Sequence, residues 1–349
     1  MYKTQIPKIN DVIKQTGKVI IGLGCSFVQG DGAVNDELYT NYKAFPKFGE
    51  VTQWDLTDQE KKEILSKYPN VSSDRVGELV FLQMEHDNAF VNVLCDEYFD
   101  GEYAAINFGI RGSGNRATIK ELYFYPDILW DEIKEIIVVY CPSGLERFDF
   151  INDQYADPNE HGRWKTMWPN DSLPTPGGRS VLWTGYKNSV WSSKFEVLEQ
   201  IVHVQELLLW CRHKNAKLII TPAFHQGYTR DNFEGSLMMN IAREDNDEFV
   251  KVVDSTWLSS TTKEKKDVEA LVNMWPWDKM FAPGECPTFA DLAISQDFPD
   301  SWKDTFFFNY INTGTPNGWL TPCAHPGAKA HNLFASYLHK HITQNYEQL

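Results

Sequence analysis

The chain has 349 residues, 42% of them hydrophobic, and a formal net charge of −15. That is enough apolar material for a large core, and it excludes global disorder. An acidic surface without a local basic patch repels phosphate backbones, so neither nucleic-acid binding nor polybasic membrane attachment is expected. No apolar run approaches the roughly 20 residues that span a bilayer. The N-terminus lacks the apolar segment of a signal peptide. Six cysteines are scattered without CxxC spacing, which fits reduced thiols rather than a disulfide scaffold or a zinc site. A cytoplasmic protein is expected.

In chain order, the first element is the apolar run at residues 19–23, a strand buried on both faces, which leads into GCSFVQG at 24–30. Ser26 then stands at the sheet rim, just before a helix. It reads either as the helix N-cap or as a nucleophile whose own N–H faces a developing oxyanion. Cys25, one position earlier, points the other way and is expected to be a small buried thiol. Further on, Phe90, Val91, Leu94, Cys95 and Tyr98 predict a helix over 90–99, and 104–108 predicts a second strand. That strand ends in INFGIRGSGN at 106–115, which turns through Gly109 and Gly112 and enters a helix at Asn115. The Gly112 amide and the Asn115 side chain are candidate oxyanion donors; the alternatives are a tight turn and an N-cap. A dinucleotide site fits poorly, because the glycines read G-x-x-G-x-G rather than GxGxxG.

A third strand is predicted at 136–140, a long helix at 191–211 with Trp191, Phe195, Leu198, Val202 and Leu209 in one stripe, and a fourth strand at 217–221. Near the C-terminus, TPCAHPGAKAH at 321–331 places His325 before a Pro-Gly turn. A loop imidazole there is a candidate general base. Ala330, Phe334, Tyr337, Leu338 and His341 mark the last helix, with His339 and His341 read as side chains on its surface. No nearby carboxylate completes a metal site from His325, His331 and His341, and no metal or cofactor is expected.

Strands alternating with helices imply a parallel sheet covered on both faces. The expected organisation is a single α/β domain over 1–349, with insertions at about 32–85, 148–189 and 225–320. These lie at the carboxyl ends of the strands, where open α/β sheets bind ligands. They are rich in aromatics, including Trp164, Trp168, Trp183, Trp257, Trp275, Trp277 and Trp319. Such side chains serve either as sugar-stacking platforms or as small cores under long loops. Arg111, Arg116, Arg147 and His225 are candidate substrate contacts, although arginines equally pair with the surplus carboxylates.

Gly24, Cys25 and Ser26, then Asn107, Gly109 and Gly112, then His325 and Pro326 together resemble the blocks of the SGNH (GDSL-like) hydrolase family, in the family's chain order. The resemblance implies a three-layer α/β/α flavodoxin-like fold. It implies Ser26 as nucleophile, His325 as base, and an oxyanion hole of the Ser26 and Gly112 amides. The chain departs from the family at Cys25, which replaces an aspartate, and in VVYCPSGLERFDF at 138–150, which lacks the third-block asparagine. Asn115 is the expected substitute for that asparagine. The family's acid position, three residues before the histidine, is Pro322, and no Asp or Glu occurs from Thr305 to Tyr346. Asp254 and Asp304 are candidate replacements. Loss of a triad acid costs on the order of 10⁴ in rate and leaves appreciable catalysis, so a Ser-His dyad is chemically viable.

The implied activity is an acyl-ester hydrolase working through an acyl-enzyme, removing small acyl groups from a carbohydrate or related ester. A small-molecule or glycan ester is thus the expected partner. Two other readings stay open: an O-acyltransferase on the same fold, and a catalytically degenerate binding or structural protein. SGNH-like chains with reduced motifs are frequent in tailed phages, which adds a virion role to the last.

Overall fold

The computed structural model describes residues 5–30, 33, 86–110, 113–145, 147–151, 164–167, 193–224, 227–238, 262–298 and 325–346. All four predicted strands form, as β1 Lys18–Gly24, β2 Ala104–Gly109, β3 Glu135–Cys141 and, beyond the hairpin of β4 Phe148–Ile151 and β5 Trp164–Met167, β6 Lys217–Ile220. The four make one sheet of order β2-β1-β3-β6, with every pairing parallel. Crossovers thus run from β1 to β2 and from β2 past β1 to β3, so the strand order reverses at β1. Crevices form at such a reversal, outside the carboxyl ends of the strands.

Successive strand residues point to opposite faces, and the core divides accordingly. Val19, Ile21 and Leu23 join Ile106, Phe108, Val138 and Tyr140 against Ile9 and Ile13 of one helix, Ile6–Thr16, and Ile201 and Val204 of another, Ser193–His213. On the other face Ile20, Ile137, Val139 and Ile219 meet Phe90, Phe289 and Phe334. Both faces are covered, which is why the strands read as continuous apolar runs rather than alternating ones. The predicted helix at 90–99 is one α-helical turn, Phe90–Val93, continued by a π-helical turn, Leu94–Tyr98.

The segment 225–320, expected as an insertion, also builds core. Its described residues include the α-helices Arg230–Met238, Thr262–Val272 and Phe289–Asp297. Phe233, Leu237, Val272 and Trp275 enter the first apolar cluster, and Phe289, Leu292 and Ile294 the second. Trp275 packs at 5.3 Å from both Tyr228 and Phe233, and 6.2 Å from Trp277. For Trp275 and Trp277 the small-core reading therefore holds. Trp168, Trp183, Trp257 and Trp319 lie outside the described residues. Among the described residues no helix is long and apolar enough to cross a membrane.

The turn after β1, the helix Ser26–Gln29, rests directly on the end of β2. A Cβ on Gly109 would stand 2.1 Å from the Gln29 nitrogen and 2.6 Å from its Cα. Both are backbone atoms, so nothing flexible can yield. Gly109→Ala is expected to destabilise the protein by about 1–3 kcal/mol through overpacking. The readout is a lower urea midpoint; an unchanged midpoint would mean the two backbones are not in contact.

Candidate active site

The registers Gly24↔Gly109 and Gly24↔Cys141 end β1, β2 and β3 on one line. The segments that follow them leave the sheet side by side. Ser26 opens the first, and its hydroxyl lies 2.8 Å from His325 Nε2. In the neutral imidazole carrying its proton on Nδ1, the serine O–H donates and Nε2 accepts. The two residues are 299 positions apart in the chain.

The hydroxyl is not spent on capping. The N-cap position belongs to Cys25, which makes no side-chain cap bond, and the Cys25 carbonyl accepts from Val28 and Gln29 at 3.0 and 3.1 Å. As the first residue of that helical turn, Ser26 has a backbone N–H with no acceptor inside the helix. Ser26 is 5% exposed, whereas Cys25 is fully buried in the apolar cluster, as its place before the turn predicted. The Phe27 ring supports the site, 5.3 Å from the His325 ring and 5.3 Å from Phe224.

Behind His325, at the start of the helix Ala328–Tyr346, His331 is completely buried. Its Nδ1 accepts the Phe90 N–H at 3.1 Å, so the ring proton sits on Nε2, which is buried without a hydrogen-bond partner among the described residues. Desolvation, reinforced by the neighbouring His325, pushes its pKa down to about 3. His331 is therefore a neutral structural imidazole.

Asn115 opens the helix Asn115–Lys120 as predicted, but its side chain does another job. Its amide donates to Gln200 Oε1 at 2.7 Å and to the Tyr228 hydroxyl at 2.8 Å. Its oxygen accepts the Ser143 N–H at 2.6 Å. Both amide hydrogens are committed, so the expectation that Asn115 lends one to an oxyanion is corrected: it ties the segments after β2 and β3 to the long helix and the segment after β6. Tyr228 completes the circuit by donating to the Ser143 carbonyl at 2.7 Å.

Arg147 donates to the Ser113 carbonyl at 2.8 Å and lies over the Phe224 ring at 5.0 Å. Arg116 is exposed. The two arginines border a narrow cleft, partly open to solvent, shared with Asp149, Phe195, Glu199 and Gln200. There the Glu199 carboxyl is held below its ordinary range, chiefly by its hydrogen bond to His203 and further by the charge on Arg116. Gly112, Arg111, His225, Asp254 and Asp304 lie outside the described residues. Among the described residues no group of His, Cys, Asp or Glu is arranged to hold a metal ion.

Sequence reasoning passed over Ser143, Asp149, Gln200 and Tyr228. One signal was available for Asp149: an acid between two phenylalanines, in RFDF, within an apolar-flanked strand pattern. Comparison with protein-family models, curated proteins and solved structures returned no match.

Proposed function

We propose that this chain is a serine esterase of the SGNH (GDSL-like) type, on a flavodoxin-like sheet, acting on small acyl esters of a carbohydrate or related alcohol. The observation that carries the reading is the 2.8 Å contact of Ser26 Oγ with His325 Nε2. The sheet order β2-β1-β3-β6 supports it, since it repeats the start of the flavodoxin-like order 2-1-3-4-5.

In this mechanism Ser26 Oγ forms a bond to the acyl carbon while its proton passes to His325 Nε2. The negative charge on the carbonyl oxygen meets the backbone N–H groups of Ser26 and Gly112. Collapse breaks the ester C–O bond, and His325 returns the proton to the leaving alkoxide. Water, deprotonated by His325, then attacks the acyl-enzyme and releases the acid and the free serine.

The test is a fluorophosphonate probe read by intact mass and peptide mapping. The expected result is one adduct, on Ser26, absent from Ser26→Ala and retained by Cys25→Ala. No adduct on folded protein would favour the degenerate scaffold instead. An adduct lost in Cys25→Ala but kept in Ser26→Ala would move the nucleophile to the thiol. Sugar alcohols that capture the acyl group in place of water would mark a transferase.

A further inference from the structure

The loop that joins β2 to the helix Asn115–Lys120 is anchored on both sides of residues 111–112. On the near side the Ile110 N–H donates to the Gly24 carbonyl at 3.0 Å, tying the loop to the strand that ends beside Ser26. On the far side the anchors come from the segment after β3. Asp149, 2% exposed, takes the Gly114 N–H on Oδ1 at 2.8 Å and the Ala117 N–H on Oδ2 at 2.9 Å. Arg147 takes the Ser113 carbonyl at 2.8 Å, and Ser143 Oγ approaches the same oxygen at 3.3 Å. Glycine at 114 is required by this contact, since a Cβ there would stand 2.7 Å from Asp149 Oδ2.

We infer that Asp149 is a positioning residue for the oxyanion loop of the proposed mechanism, its carboxylate fixing the Ser113–Gly114 backbone of the loop that Ile110 ties to Gly24 beside the Ser26 site. The inference rests on the esterase reading above. A buried carboxylate is costly to maintain unless its oxygens are satisfied. Here two backbone N–H groups of one turn satisfy it, and charge-assisted bonds of that kind are the strong ones. Preorganised amides stabilise an oxyanion only when they are held before the charge develops. The segment 142–149 lacks the family's asparagine donor; it contributes to the loop by clamping it.

Asp149→Asn is the discriminating variant. It keeps the shape but offers one acceptor oxygen where the carboxylate offers two, and it sets an NH₂ against a backbone donor. The expected result is a 10–100-fold fall in kcat on 4-nitrophenyl acetate with KM changed less than about threefold, because a small misplacement of a transition-state donor costs up to about 10²-fold. Amide exchange of Gly114 and Ala117, read by NMR or peptide mass, is expected to be slow in the wild type and faster in the variant.

A folded variant with unchanged kcat would overturn the inference, as would equal losses of kcat and thermal stability that vanish on cooling. Fast exchange at Gly114 and Ala117 in the wild type would overturn it without any variant. A wild type unreactive towards fluorophosphonate sinks the esterase reading and the catalytic part of this one together. A reactive wild type beside an unaffected Asp149→Asn sinks this one alone.

Discussion

Replacing His325 with alanine is expected to lower ester hydrolysis by about 10²–10⁴-fold, the range that a positioned general base supplies. A serine hydroxyl is a weak nucleophile until something removes its proton, and His325 Nε2 at 2.8 Å is placed to do so. The loss should fall on kcat, since the imidazole acts on the proton in flight rather than on bound substrate. His325 is only half-buried, so its truncation leaves no core cavity, and the thermal midpoint should hardly move. Because serine and base act as one unit, Ser26→Ala/His325→Ala should be no slower than the worse single variant. Initial rates with 4-nitrophenyl acetate, beside melting curves, decide this. A His325→Ala enzyme at wild-type speed would dismiss the dyad.

The second large effect concerns acid stability. His331 has a folded-state pKa near 3 against an ordinary value of 6.5. Below pH 6.5 the unfolded chain takes up a proton at this residue that the folded chain refuses, so acid favours unfolding. Stability is therefore whole above about pH 6.5, and this contribution is lost progressively as pH falls towards 3. At about 1.4 kcal/mol per pH unit, the loss by pH 4.5 is on the order of 3 kcal/mol.

His331→Phe removes the titration but also the acceptor for the Phe90 N–H. The variant should start less stable at pH 7 by about 1–3 kcal/mol and then lose less on acidification than the wild type. Urea unfolding at pH 7 and pH 4.5 reads both slopes. Parallel losses in the two proteins would show that the acid sensitivity lies elsewhere.

The strands were legible because a parallel sheet buried on both faces demands unbroken apolar runs, and β1, β2, β3 and β6 each begin within a residue of the predicted start. Ser26 and His325 were legible as residue types at the ends of elements, in a chain order that resembles a known family. The role of Asn115 was not. Its amide has the chemistry of an oxyanion donor, but Gln200 and Tyr228 claim both its hydrogens, and neither partner is near it in sequence. The segment 225–320 misled for a related reason. Its Pro, Gly and aromatic content reads as loop, while Phe233, Trp275 and Phe289 pack against the sheet from far along the chain.

The sequence by itself determined the alternation of buried strands and helices, the glycine turn after β2, the burial of Cys25 and the pair of residues on which a hydrolase reading rests. These follow from periodicity and nearest-neighbour sterics, which are written locally. Only the tertiary structure decided that the Ser26 hydroxyl faces an imidazole instead of capping its helix, that Asn115 is a tie between segments, and that Asp149 grips the loop beside the site. Hydrogen-bond partnership depends on distances within about 3 Å and on direction. Such distances join residues 32 to 299 positions apart here, and only the folded chain brings them together.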